Sequence, residues 1–62
     1  MDIKLICRKY GKTITEVAHS VSTTRNNLSI IMRGNPTLST INRVAQALGI
    51  TPSQLVELLN QQ

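Results

Sequence analysis

A chain of 62 residues with a net charge of +4 and one cysteine, Cys7, is tightly bounded before any motif is read. A chain this short buries only about 60% of the surface its unfolded form exposes, which leaves room for one domain (residues 1–62) and none for a deep substrate cleft. A lone cysteine excludes an internal disulfide and suits a reducing cytoplasm; no apolar run nears the ~20 residues of a membrane span; and Met1-Asp2-Ile3-Lys4 lacks the apolar stretch behind a basic start expected of a signal peptide.

The first predicted helix runs from about Asp2 to Tyr10. Asp2 is its N-cap, and Ile3, Ile6 and Tyr10 recur at helical spacing. Gly11 ends it, where a left-handed residue is wanted. The second opens with Thr13-Ile14-Thr15-Glu16, a capping box in which the threonine accepts from the Glu16 amide and the carboxylate reaches back. Val17, Ala18 and Val21 form its inner face, and the β-branched and hydroxylic run Val21-Ser22-Thr23-Thr24 stops it near Ser20. The third is capped by Thr24 and runs to about Met32, before Arg33-Gly34-Asn35-Pro36. The fourth opens at Thr37, carries Leu38, Ile41, Val44, Ala45 and Leu48 on one stripe, and ends at Gly49. The fifth opens with Thr51-Pro52-Ser53-Gln54, a second capping box with proline at the first helical position, and its stripe is Leu55, Leu58 and Leu59. The tail Asn60-Gln61-Gln62 reads as frayed. No stretch alternates as a strand would, so the expectation is an all-α, compact five-helix domain with an aliphatic core.

Helices two and three, joined by a short turn, have the form of a helix-turn-helix. At about 100° per residue, Leu28 and Ile31 point inward. Asn26, Ser29, Ile30 and Arg33 then face out, with Arg25 on one flank and Asn27 on the other. An outward face of this kind suits a major groove ~12 Å wide: arginine bonds guanine, asparagine bonds adenine, and an aliphatic side chain meets the thymine methyl. The charge agrees. All seven basic residues lie in 1–43 against Asp2 and Glu16, a net +5, while 44–62 holds only Glu57. The third helix has no acid to repel a phosphate. Arg33 and Arg43, near helix ends and loops, suit phosphate rather than base contact. Lys4, Arg8, Lys9 and Lys12 read as solvated charges.

Other chemistry is poorly supplied. Asp2, Glu16 and Glu57 are far apart in sequence and no activated nucleophile is present, so the chain does not read as an enzyme. One histidine, His19, read as a surface residue, and one cysteine, read as a small, partly buried packing residue, cannot build a zinc site; no metal or other cofactor is expected. Val56 points away from the stripe of helix five. With Ile50, Leu55 and Leu59 it suits a two-fold contact between copies, which would double the base pairs read.

Four runs resemble one family: Thr13-Ile14-Thr15-Glu16-Val17-Ala18, Val21 to Leu28, Arg33 to Leu38, and Val44-Ala45-Gln46-Ala47-Leu48-Gly49-Ile50. Together they are similar to the Cro and lambda-repressor-like helix-turn-helix proteins over about residues 3–59. The resemblance implies a bacterial or phage-encoded cytoplasmic regulator, usually a repressor, bound as a homodimer to a near-palindromic operator in double-stranded DNA. By position, Arg25, Asn26 and Ile30 match base contacts. Thr24 and Asn27 match N-terminal contacts to phosphate or base, Thr13 opens a helix whose amides face a phosphate, and Asn35, Thr37 and Arg43 lie where the family often touches the DNA backbone. Two positions depart from the pattern: Ile14 stands where glutamine is common, and Ser22 where the turn prefers glycine. An antitoxin-type regulator that also binds a toxin, and a helix-turn-helix used only for protein contact, are the alternative readings.

Overall fold

Every helix begins on a side chain suited to start it. In a computed structural model that describes residues 1–61, the helices are α1 (Ile3–Lys9), α2 (Ile14–Ser20), α3 (Arg25–Arg33), α4 (Leu38–Leu48) and α5 (Pro52–Leu59), and no strand occurs among the described residues. Asp2, Thr13, Thr24, Thr37 and Thr51 are the N-caps, each accepting from a backbone amide of the first turn that would otherwise lack a partner. At α5 the capping box is complete: the Gln54 amide donates to Thr51 Oγ1 at 3.1 Å, and the Thr51 amide to Gln54 Oε1 at 2.9 Å. At α2 it is half made. The Glu16 amide donates to Thr13 Oγ1 at 3.1 Å, but the Glu16 carboxylate takes the Thr13 hydroxyl at 3.2 Å instead of the cap's backbone amide.

Three helix ends share one backbone pattern. After α1, Gly11 N–H donates to Arg8 O and Lys12 N–H to Cys7 O; after α2, Ser22 donates to His19 O and Thr23 to Ala18 O; after α4, Gly49 donates to Gln46 O and Ile50 to Ala45 O. These paired bonds satisfy the last carbonyls and require a left-handed residue at the turn. Its φ is +73° at Gly11, +60° at Ser22 and +74° at Gly49. The turn between α2 and α3 is therefore the glycine turn of the other two, built with serine.

The core is aliphatic. Ile3, Ile6, Cys7, Val17, Ala18, Leu28, Met32, Val44, Ala45, Leu48, Leu55 and Leu58 are buried, with Tyr10, Ile14, Val21, Ile41, Ala47, Ile50 and Leu59 packed around them. α1 packs on α2 and α3, α2 on α3 and α4, and α4 on α5. No buried polar side chain is found among the described residues, so burial here is nearly all transfer of hydrocarbon from water.

Several expectations change. Tyr10 caps α1 from outside it. The inner face of α3 is Leu28 with Met32, and Ile31 is half-buried at its edge, because a pair four residues apart tracks a helix face more closely than a pair three apart. Leu38, expected on the α4 stripe, is 71% exposed: it is the first residue of the helix and lies beyond the end of the core. Cys7 is wholly buried rather than partly so. Burial pushes its thiol up from the ordinary 9.0, a backbone hydrogen bond opposes this, and the Asp2 carboxylate adds to it. Asn60 and Gln61 continue the chain against α5, donating to Val56 O and Leu58 O, and the Met1 amino group meets the carbonyls of Leu59 and Gln61. The remaining tail residue, Gln62, lies outside the described residues.

Candidate nucleic-acid interface

α3 is positioned from three sides. Leu28 and Met32 anchor its inner face in the core. The Ser22 turn fixes where the chain leaves α2. Thr24 Oγ1 accepts from the Asn27 amide at 3.1 Å, and Asn27 Nδ2 donates to Thr23 Oγ1 at 2.7 Å, a clasp that ties the first turn of α3 back to the connection. A helix held this firmly presents its outer face in one register.

That outer face carries Arg25, Asn26 and Ile30, all exposed, with Ile30 at 62%. Ser29, expected to face fully out, is half-buried. It shares a shallow groove with Arg25, Asn26, Ile14, Asp2 and Lys4. The groove brings the starts of α1, α2 and α3 together. Ile14 is half-buried there and packs against the core, so its side chain supplies hydrocarbon beside Ser29. Sequence reasoning missed Lys4 and Asp2 as neighbours of the α3 face. Their only local signal was the cap, and a contact across some twenty residues depends on how α1 docks.

The polar residues expected along the DNA backbone are all exposed. Thr13 has its hydroxyl committed to Glu16, so at that end the donors left to an anion are the backbone amides of the first turn of α2. Thr24 spends an acceptor on its cap and keeps a proton to donate, whereas Asn27 has one amide proton engaged by Thr23. Arg33 Nε reaches Ser29 O at 3.4 Å, which lays the side chain back along α3. Arg33 and Asn35 line a hollow with Met32, Pro36, Ile41, Val56 and Leu59. Thr37 caps α4 and bonds Thr40 Oγ1 at 3.0 Å. Arg43 stands apart, in a hollow with Val21, Thr23, Leu28 and Ile31 on the α4 side.

Of the four residues expected between copies, Leu55 is corrected outright: it is wholly buried and packs the core, because its Cβ points along the inner stripe of α5. Ile50 and Leu59 are half-buried against the core, and only Val56, 39% exposed, is freely presented. No three of His, Cys, Asp and Glu come together as a metal site among the described residues, and no described helix is long and apolar enough to cross a membrane.

Comparison with known proteins agrees with the fold. The searches of curated proteins and of solved structures gave no match. The family model for the Cro/C1-type HTH DNA-binding domain matches residues 2–61, which takes in all five helices and both walls of the groove beside α3. The chain belongs to the Cro/C1-type helix-turn-helix family of DNA-binding regulators.

Proposed function

We propose that the protein is a sequence-specific regulator of transcription, acting as a repressor by placing α3 in the major groove of double-stranded DNA. The observation that carries this reading is the outer face of α3: Arg25, Asn26 and Ile30 are exposed on a helix without an acid, whose opposite face is locked in the core. Arg25 and Asn26 are the base-reading pair, and Ile30 and Ser29 complete the contact with base edges. Thr13, Thr24, Asn27, Arg33, Asn35, Thr37 and Arg43 form the phosphate set, which fixes register without reading sequence.

Two copies act together on a near-palindromic operator. The Cα trace measures 24 × 23 × 19 Å, so two copies side by side, with their side chains, suit sites one DNA turn (roughly 34 Å) apart. The setting is the cytoplasm of a bacterium or of a phage host. No catalytic step, metal or cofactor enters this reading.

The test is selection of binding sites from a random DNA pool at moderate salt. An enriched inverted repeat, with half-sites about 10 base pairs apart, supports the whole reading. A flat pool with strongly salt-dependent binding reduces it to non-specific DNA coating. No binding even at low salt moves the assignment to a protein partner, such as a toxin held by an antitoxin-type regulator.

A further inference from the structure

The groove beside α3 carries charges that the reading helix does not itself supply. Arg25, Asn26 and Ser29 line it from α3 and Ile14 from α2, while Asp2 and Lys4 enter from the chain that begins α1. A helix laid in a major groove has base edges in front of it and a sugar-phosphate wall along its flanks. Arg25 lies on the flank of α3, so the residues gathered beside it stand where such a wall passes. Lys4, Asp2 and Arg25 are exposed there, and Ile14 has no hydrogen-bonding group to offer. Lys9, a second cation of α1, is placed elsewhere: it lines a separate hollow with Tyr10, Gln54, Glu57 and Leu58.

Asp2 is an acid on this cationic edge. Its task in the fold is to cap α1, where Oδ1 accepts from the Lys4 amide at 3.4 Å, longer than the usual ~2.7–3.2 Å. A cap needs an acceptor oxygen and no charge; asparagine and serine cap as well as aspartate does. The negative charge is therefore surplus to the helix, and it sits beside Lys4 and Arg25.

We propose that Lys4 and Asp2 form a further DNA-facing edge, in which Lys4 holds a phosphate and Asp2 weakens that hold. The inference rests on the reading of α3 given above and adds a control on its strength. Lys4 supplements with charge the neutral amides that open α2. Neither residue meets a base, so gain and loss fall alike on every sequence. The pair sets how firmly DNA of any sequence is held, and the choice of sequence stays with Arg25 and Asn26.

The experiment is fluorescence anisotropy of the full chain on two duplexes, the operator enriched by selection and one of mixed sequence, each across a salt series. Lys4→Gln should bind both duplexes about eightfold more weakly near 0.1 M salt and lower the salt slope by ~0.9, the worth of one phosphate contact. Asp2→Asn keeps the cap and removes the charge. It should bind both duplexes about two- to fivefold more tightly, the worth of one exposed charge contact. Asp2→Ser, a second uncharged cap, should match it. Lys9→Gln removes the same charge as Lys4→Gln from outside the groove and should lower the slope by much less. An unaltered slope in Lys4→Gln, equal effects at Lys4 and Lys9, or Asp2→Asn and Asp2→Ser binding no tighter than the native chain would each overturn the proposal. So would a changed base preference in any of these variants. A native chain that prefers the operator while Lys4→Gln and Asp2→Asn behave like it refutes only this edge. A native chain that holds both duplexes equally refutes only the sequence-specific reading, and one that binds neither refutes both.

Discussion

Replacing Ser22 by glycine tests how the two helices of the motif are joined. The residue sits at φ +60°, in a turn whose hydrogen bonds match those at Gly11 and Gly49. Holding an L-residue left-handed costs about 1–2 kcal/mol. Glycine removes that cost but gives up about 0.5–1 kcal/mol of extra freedom in the unfolded chain. The Ser22 side chain is exposed, so its loss takes no packing away. Ser22→Gly should therefore stabilise the protein by about 0.5–1 kcal/mol, a rise in Tm of roughly 2–8 °C for a domain of this size. The reverse changes supply the control. A Cβ added at Gly11 or Gly49 meets nothing within 4 Å, so Gly11→Ser and Gly49→Ser should destabilise through backbone conformation alone, by a similar amount. Thermal unfolding followed by circular dichroism measures all three. A neutral or destabilising Ser22→Gly, or the same sign at Ser22 and Gly49, would refute the argument that the turns are equivalent.

Three other outcomes are expected. Leu28→Ala removes a wholly buried side chain from beneath α3 and should cost about 2–5 kcal/mol; since total stability for this length is roughly 3–9 kcal/mol, urea titration should find the variant largely unfolded or close to it. On the selected operator, Arg25→Ala should lose about 1–3 kcal/mol of binding and relax the preference at one base pair, and Asn26→Ala should do the same at a neighbouring pair; equal losses on every sequence would place both residues on phosphate. The thiol of Cys7 is held neutral by burial, so its folded pKa lies above its ordinary 9.0. The unfolded chain then loses that proton first as pH rises. The thiol's contribution is complete below about pH 9 and fades as pH climbs from there through the folded value, so Cys7→Ala should flatten the decline of stability across that window, and parallel wild-type and variant curves would contradict it.

The helix boundaries were legible because they are written locally. Thr24, Thr37 and Thr51 cap the helices they were expected to cap, Gly11 takes the left-handed position assigned to it, and Gly49 ends α4 as expected. These signals act over four or five residues and need no tertiary context. Less was legible wherever a face depends on docking. Leu38 satisfies the α4 period yet lies in water, because periodicity gives a direction around the helix and says nothing of where the core ends along it. Leu55 lies on the inner stripe of α5, as its spacing predicts, and is wholly buried there, so it has no surface left for a contact between copies, whereas Val56 beside it is exposed.

The same distinction governs the candidate site. Of the outward set Asn26, Ser29, Ile30 and Arg33, which follows from the rotation of a single helix, all but Ser29 are exposed, as is Arg25 on the flank; Ser29 is half-buried in a groove it shares with Ile14, which arrives from another helix. Ile14 itself shows why a departure from a family pattern has to be judged in three dimensions. In sequence it is an apolar residue where glutamine is common. In the structure it is a packed wall between the core and the groove, with the Lys4 side of α1 beside it. Isoleucine holds this corner by contact area and has no hydrogen-bonding group to offer a phosphate. In the proposed DNA-bound arrangement, the polar work at this end of the groove would therefore fall to the backbone amides that begin α2, since the Thr13 hydroxyl is engaged by Glu16.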